Sequence, residues 1–151
     1  MTDVISQWAK ATRPTGQESP YRSSALALGR GAQAELKIEL DITEENLGAN
    51  DDWYFARLPE DAIIDGAFLT VDELDDGTDL ELQIRADDGT TASNLLSAAS
   101  EAGQTGGTVF ANANLPYVGG DGPVEVYARV TAAAGTAQAG KATLTLRFSR
   151  A

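Results

Sequence analysis

The sequence predicts an all-β fold, namely an antiparallel β-sandwich and a jelly roll in particular, with an extended N-terminal arm and at most one or two short helices. From residue 32 onward, apolar side chains recur at every second position, which is the period of a strand with one buried face. Asp-Gly and Gly-Gly pairs separate these runs, as turns do. The long amphipathic helices that connect parallel strands are missing from the sequence, which disfavours an α/β fold.

Two regions are distinguished by composition. Residues 1–31 contain Pro14 and Pro20 and keep no regular period, so we interpret them as an extended arm, and residues 32–151 as the sandwich domain. One short helix is predicted inside the arm over residues 4–11, with Asp3 as its N-cap. The arm is too rich in apolar residues for a free tail, so we expect it to lie against a partner surface. Its candidate partner-binding residues are Trp8, Arg13, Tyr21, Arg22, Leu26 and Leu28.

Seven strands are predicted in the sandwich domain. They span residues 34–42, 53–58, 62–73, 79–86, 108–113, 123–132 and 141–149. The fourth is typical: Leu80, Leu82 and Ile84 alternate with acidic and polar residues, so one face is expected to be buried. Gly66 in the third strand is expected at a β-bulge.

The connections between these strands carry turn signals and one helical candidate. Asp76-Gly77 is predicted to form a hairpin turn, and residues 135–141 a tight hairpin connection. Residues 90–103 are predicted to form a helix capped by Thr90 or Thr91 and ended by Gly103, with Leu95 and Leu96 packed inward.

Charge and composition exclude several function classes. The net charge is −12, and residues 31–101 alone hold nineteen acids against three bases, whereas residues 1–30 hold four bases against two acids. Because a domain this acidic repels phosphate backbones, we expect the folded part not to bind nucleic acid. The chain has no Cys and no His, which removes thiolate chemistry and the most common general base and transition-metal ligand. No apolar stretch approaches the length of a membrane span, so we expect a soluble protein without membrane partners.

The acidic stretch "DELDDGTDLELQIRADDG" at residues 72–89 raises the question of a metal site. A calcium-binding EF-hand loop starting at Asp72 fails, because Leu74 and Gln83 occupy positions that need ligand oxygens. A looser calcium site formed by Asp75, Asp76 and Asp79 stays open, since calcium accepts irregular oxygen cages. The competing interpretation is a hairpin turn with a solvated acidic face, which also explains the flanking alternation and is preferred.

Two further functions are considered, one on acidic residues of this stretch and one on aromatic residues. A glycosidase-like carboxyl pair from Asp79 and Glu81 would need an apolar pocket that raises one pKa, and these acids lie on a polar face. A carbohydrate- or receptor-binding module of a phage fibre or secreted protein would use Trp53, Tyr54 or Tyr117 as an exposed aromatic platform, with a calcium ion. No nucleophile elbow, phosphate-binding loop or dinucleotide fingerprint is found, so we expect no enzyme and no cofactor.

Three segments in the later part of the chain carry a resemblance to a known group of proteins. They are "LPEDAIIDGAFLTVDE" at residues 58–73, "DGTTASNLLSAAS" at 88–100 and "GTAQAGKATLTLRF" at 135–148. Their order resembles small all-β virion proteins of tailed bacteriophages, the head decoration or cement proteins. The resemblance covers roughly residues 58–150 and not the arm, and its motifs are turns and core positions rather than catalytic residues.

This resemblance implies a non-enzymatic virion protein on the capsid surface. It implies the major capsid protein as partner, a homotrimer as the state of self-association, and an arm that lies along grooves of the shell. The alternative that stays open is the carbohydrate- or receptor-binding sandwich described above.

Overall fold

The structure, a computed structural model, describes residues 33–120 and 122–150 together with the backbone of Val4 and Ile5. The strands are β1 (Val4–Ile5), β2 (Gln33–Ile42), β3 (Asp52–Leu58), β4 (Ala62–Val71), β5 (Glu81–Asp87), β6 (Ala92–Asn94), β7 (Gly107–Phe110), β8 (Tyr117–Val118), β9 (Val124–Ala132) and β10 (Gly140–Arg150). A 3-10 helix spans Glu44–Asn46, and helix α1 spans Ala102–Thr105. No helix in these residues is long and apolar enough to cross a membrane.

The strands form two sheets that face each other, as predicted. Sheet A contains β1, β3, β9, β5 and β6 in that spatial order, and sheet B contains β2, β10, β4 and β7, with β8 pairing with the start of β4. All pairs are antiparallel except β1 with β3. The fold is therefore an antiparallel β-sandwich with short helices.

The strand order is that of a jelly roll. Leaving out β1 and β8, the first strand pairs with the last (β2 with β10), the second with the second last (β3 with β9), then β4 with β7 and β5 with β6. These are the pairs of one long antiparallel hairpin. Folding that hairpin over adds the contacts of β10 with β4 and of β5 with β9, and separates it into two sheets.

The core lies between the sheets and contains the side chains that the alternation predicts. In β5 and the residue before it, Leu80, Leu82 and Ile84 are at most 1% exposed. In β10, Leu144 and Leu146 are buried in the same way, while Thr145 between them lies on the opposite face of the sheet and is 8% exposed. The predicted β-bulge is present: Asp65 has no partner in the register of β4 with β10, directly before Gly66.

The helix predicted over residues 90–103 is wrong. Strand β6 occupies its first half and pairs with β5, and α1 starts only at Ala102. Thr90 and Thr91 donate their backbone N–H groups to the carboxylate of Asp88, which closes a turn before β6. Leu95 is buried as expected, but its backbone N–H donates to the carbonyl of Ile84, as in a sheet. Tertiary pairing thus overrides a weak helical propensity.

Two predicted hairpins are also wrong. The segment containing Asp76-Gly77 joins β4 in sheet B to β5 in sheet A, and residues 135–139 lie between β9 in sheet A and β10 in sheet B. Both segments cross from one sheet to the other. Alternation reveals which side chains are buried but not which sheet a strand joins, so a crossing and a hairpin give the same sequence signal.

The arm contributes one described element, and it differs from the prediction. Val4 and Ile5, placed in a short helix by the sequence, form strand β1 and pair in parallel with Trp53 and Tyr54 of β3. The rest of the predicted helix lies outside the described residues.

Candidate interaction surfaces

The acidic stretch at residues 72–89 is organised around one buried carboxylate. The side chain of Asp75 is fully buried and accepts backbone N–H groups from both sheet crossings. The donors and distances are Gly77 at 2.8 Å, Asp79 at 3.0 Å, Leu80 at 3.0 Å, Gly135 at 3.2 Å and Thr136 at 2.8 Å. Burial opposes the charged form, but the backbone donors outweigh it and hold the pKa of Asp75 well below its usual range. Asp75 therefore ties the β4–β5 crossing to the β9–β10 crossing.

This geometry decides against the looser calcium site. Both carboxylate oxygens of Asp75 already accept backbone hydrogen bonds, whereas the side chains of Asp76 and Asp79 are exposed to solvent. Within residues 33–120 and 122–150, no group of three acidic side chains is arranged to hold a metal ion. The sequence did not predict that Gly135 and Thr136 would meet Asp75, because the contact joins residues about sixty positions apart.

The aromatic platform of the carbohydrate-binding alternative is not formed. Trp53 is fully buried and donates its indole N–H to the carbonyl of Asn46, and Tyr117 is only 7% exposed. Tyr54 is half-buried and lies against Tyr127, with 5.1 Å between the ring centroids. The three rings therefore do not form a shared exposed platform.

The outer face of sheet A is covered with paired polar side chains. Arg129 donates two hydrogen bonds of 2.7 and 2.9 Å to the carboxylate of Asp52. These bonds raise the pKa of the Arg129 guanidinium above its ordinary value. The Cζ atom of Arg129 also lies 5.5 Å from the ring centroid of Tyr127. Arg57 contacts Glu125 at 3.2 Å, beyond the intervening pair of Tyr54 with Tyr127. Charges that already pair across neighbouring strands stabilise the sheet and are less available to a ligand.

The outer face of sheet B carries an apolar groove, which we call the sheet B groove. It has a volume of about 280 Å³ and crosses all four strands of the sheet. Its lining residues are Glu35, Asp65, Gly66, Ala67, Phe68, Phe110, Ala111, Leu115, Thr145 and Arg147. Among them, the rings of Phe68 and Phe110 contact each other at a tilt of 37°, with 5.5 Å between the ring centroids.

Phe110 and Val118 are the large hydrophobic side chains that the described part of the chain leaves exposed, at 64% and 60%. The sequence holds the signal for the groove, because Phe68 stands at an outward position of an alternating strand, but that position was not singled out. By contrast, the six arm residues predicted to bind a partner, Trp8, Arg13, Tyr21, Arg22, Leu26 and Leu28, lie outside the described residues.

Comparison with solved structures gives likenesses that include chains from the capsids of two phages. A chain from the capsid of Ralstonia phage GP4 superimposes with a TM-score of 0.74 at 24% sequence identity, over 99% of this chain and 99% of that one. A chain from the capsid asymmetric unit of cyanophage Pam1 superimposes with a TM-score of 0.66 at 20% identity, over 81% and 87%. No protein-family model and no curated protein matches the sequence. At these identities the likeness shows a shared fold.

Proposed function

We propose that this chain is a non-enzymatic structural protein of a phage virion, a decoration protein that binds the outer surface of the head and stabilises it. The observation that carries the proposal is the likeness to a chain of a phage capsid along nearly the whole length of both proteins. The sequence motifs of residues 58–150, which resemble head decoration proteins, support it independently.

The surface chemistry supports the same proposal. Acidic side chains dominate the described surface, which keeps particles apart in solution and disfavours binding to the packaged nucleic acid. Of the two acids considered for catalysis, Asp79 is exposed to solvent and Glu81 is only partly buried. A protein that acts by covering a shell needs a stable body and a binding surface rather than a reactive group.

Binding to the shell is assigned to the N-terminal arm, whose sequence combines aromatic and basic residues. Trp8, Arg13, Tyr21 and Arg22 have the composition that is enriched at the centre of protein interfaces. The partner is the major capsid protein, and three copies of the chain associate at each binding position. An acidic body with a basic arm (two acids against four bases in residues 1–30) gives the molecule a polarity that directs the arm toward an acidic partner.

The test is reconstitution on heads formed by the major capsid protein of the same virus. The purified chain is expected to sediment with the heads at fixed stoichiometry and to raise their resistance to heat. The double variant Arg13→Glu/Arg22→Glu should lose co-sedimentation, whereas Lys37→Glu/Lys141→Glu, which makes the same charge change at exposed positions of β2 and β10, should keep it. Failure of the unchanged chain to stay with the heads would overturn the proposal. Mass-resolved chromatography of the same preparation tests the trimer.

A further inference from the structure

The sheet B groove lacks a partner within the described residues. Phe110 is 64% exposed although its ring contacts that of Phe68, and Leu115 beside it is only partly buried. Exposed aromatic surface of this kind is stabilised when another apolar segment covers it. For scale, a cavity of ~150 Å³ holds a benzene molecule, so a groove of about 280 Å³ has room for two aliphatic side chains.

The chain itself arrives at the rim of this groove. Gln33, the first residue of β2, extends its side chain across the outer face of sheet B, and its amide Nε2 donates to Oδ2 of Asp65 at 3.1 Å. Asp65 and Glu35 are both lining residues of the groove. The residues that precede Gln33 therefore start from a point beside the groove rather than from a distant part of the molecule.

The sequence directly before Gln33 matches the groove in chemistry. Residues 26–30 read "LALGR", with two leucines at alternate positions followed by an arginine. The leucines match the aromatic rings of Phe68 and Phe110, and Arg30 matches the carboxylates of Asp65 and Glu35 at the rim, where Glu35 is shared with Arg147 at 3.4 Å in an exposed pair. Burial of the two leucines would stabilise the contact by the ordinary hydrophobic effect.

The length of the chain also fits. From Gln33 to Phe110 the chain must cross three strand spacings, roughly 14 Å, and move four residues, roughly 13 Å, along the strands, because Phe110 lies in the same row as Lys37. This separation of about 19 Å slightly exceeds the ~17 Å that five steps of fully extended chain from Gln33 to Leu28 span, and the side chains of Leu28 and Phe110 cover the difference. On the other side, the twenty-one residues between Ile5 and Leu26 can span about 70 Å. The fixed position of Val4 and Ile5 beside β3 thus leaves enough chain to reach the groove.

We propose that the sheet B groove is the docking site for residues 26–30 of the same chain, with Leu26 and Leu28 against Phe68 and Phe110, and Arg30 beside Glu35 and Asp65. The inference goes beyond decoration of a head, because it concerns the free protein and holds whether or not the chain binds a shell. It assigns Leu26 and Leu28 to this groove and leaves Trp8, Arg13, Tyr21 and Arg22 for the shell.

The absence of native cysteine makes the contact directly testable by cross-linking. In the variant Leu28→Cys/Phe110→Cys of the full chain, mild oxidation is expected to form an intrachain disulfide, since such a bond requires the two Cβ atoms to come within about 4 Å. The product should run as a monomer of altered mobility on a non-reducing gel. The matched control, Leu28→Cys/Gln83→Cys, places the second thiol on sheet A and should form no intrachain bond.

Two outcomes of the cross-linking would overturn the proposal. Disulfide-linked dimers or trimers would assign the groove to a second copy of the chain, and free thiols in both variants would show that residues 26–30 do not occupy it.

Proteolysis provides a second measurement that needs no cysteine. Trypsin cleavage after Arg30 should become about tenfold faster in Phe110→Asp than in the unchanged chain, because cleavage follows the population of the undocked segment. Val118→Asp, an equally exposed position outside the groove, should leave that rate unchanged. Equal rates in all three proteins would overturn the proposal.

Discussion

At the scale of single residues, Asp75 shows how one side chain closes the sandwich. Its carboxylate receives five backbone N–H groups from two segments that are distant in sequence. Gly77 lets the backbone approach closely, because a Cβ atom there would lie 3.1 Å from Oδ1 of Asp75, and a Cβ atom at Gly135 would clash with the carboxylate of Asp79. The sequence shows the acid and the glycines, but an acidic turn at the surface has the same local pattern, so its role could not be predicted from the sequence.

The variant Asp75→Asn is expected to lower the free energy of unfolding by about 3 kcal/mol, since hydrogen bonds to a charged group are lost and an amide NH₂ is turned toward backbone donors. Chemical denaturation measures the change. Asp76→Asn, at the exposed neighbouring position, is the control and should change stability by less than ~0.5 kcal/mol. Equal effects of the two variants would show that the buried carboxylate has no special role.

The lowered pKa of Asp75 also predicts an acid dependence. Because the folded-state pKa lies below the ordinary value of about 3.9, the stabilisation by Asp75 is complete above that value and is lost as the pH falls toward the folded-state pKa. The difference in unfolding free energy between the unchanged chain and Asp75→Asn should therefore shrink as the pH is lowered from about 5 to about 2. A difference that stays constant over this range would contradict the prediction.

At the scale of elements, the strands were predictable and their connections were not. Period-2 alternation located β2, β5, β9 and β10 because each has one face in the core. The sequence predicts a helix over residues 90–103 because Leu95, Leu96 and Ala99 would share one face of a helix. What decided their structure was pairing with β5, a contact that local sequence does not encode. For the same reason the outward position of Phe68 alone did not predict the groove, which takes residues from four strands.

Helix α1 packs against β5 at Gly103, and this close contact gives a prediction at the scale of elements. A Cβ atom at Gly103 would lie 2.5 Å from Cδ2 and 3.2 Å from Cγ of Leu80, which is fully buried. Although alanine favours a helix more than glycine does, Gly103→Ala should lower the free energy of unfolding by about 1–3 kcal/mol through overpacking. Gly120→Ala, where nothing lies within 4 Å of the added carbon, is the matched control. An increase in stability of Gly103→Ala would show that Leu80 moves aside at little cost.

At the scale of the whole molecule, charge repulsion opposes a fold that hydrophobic burial stabilises. The net charge of −12 is spread over the surface of a compact sandwich, and the exposed ion pairs Lys141–Glu39 and Arg147–Glu35 compensate only a few of the acids. Exposed pairs of this kind contribute little. Repulsion among the remaining acids should therefore be the larger electrostatic effect at neutral pH.

This balance predicts that salt stabilises the protein. Raising NaCl from low concentration to about 0.2 M shortens the screening length to under ~10 Å, and the Tm at pH 7 should rise by about 3 °C, equivalent to ~1 kcal/mol for a chain of this size. The control is the same titration near the isoelectric point of 4.2, where the net charge vanishes and the rise should vanish with it. Scanning calorimetry measures both series. A Tm that falls with salt at pH 7 would contradict the prediction. It would mean that the ion pairs between β2 and β10 and within sheet A stabilise the fold by more than the repulsion among the acids destabilises it.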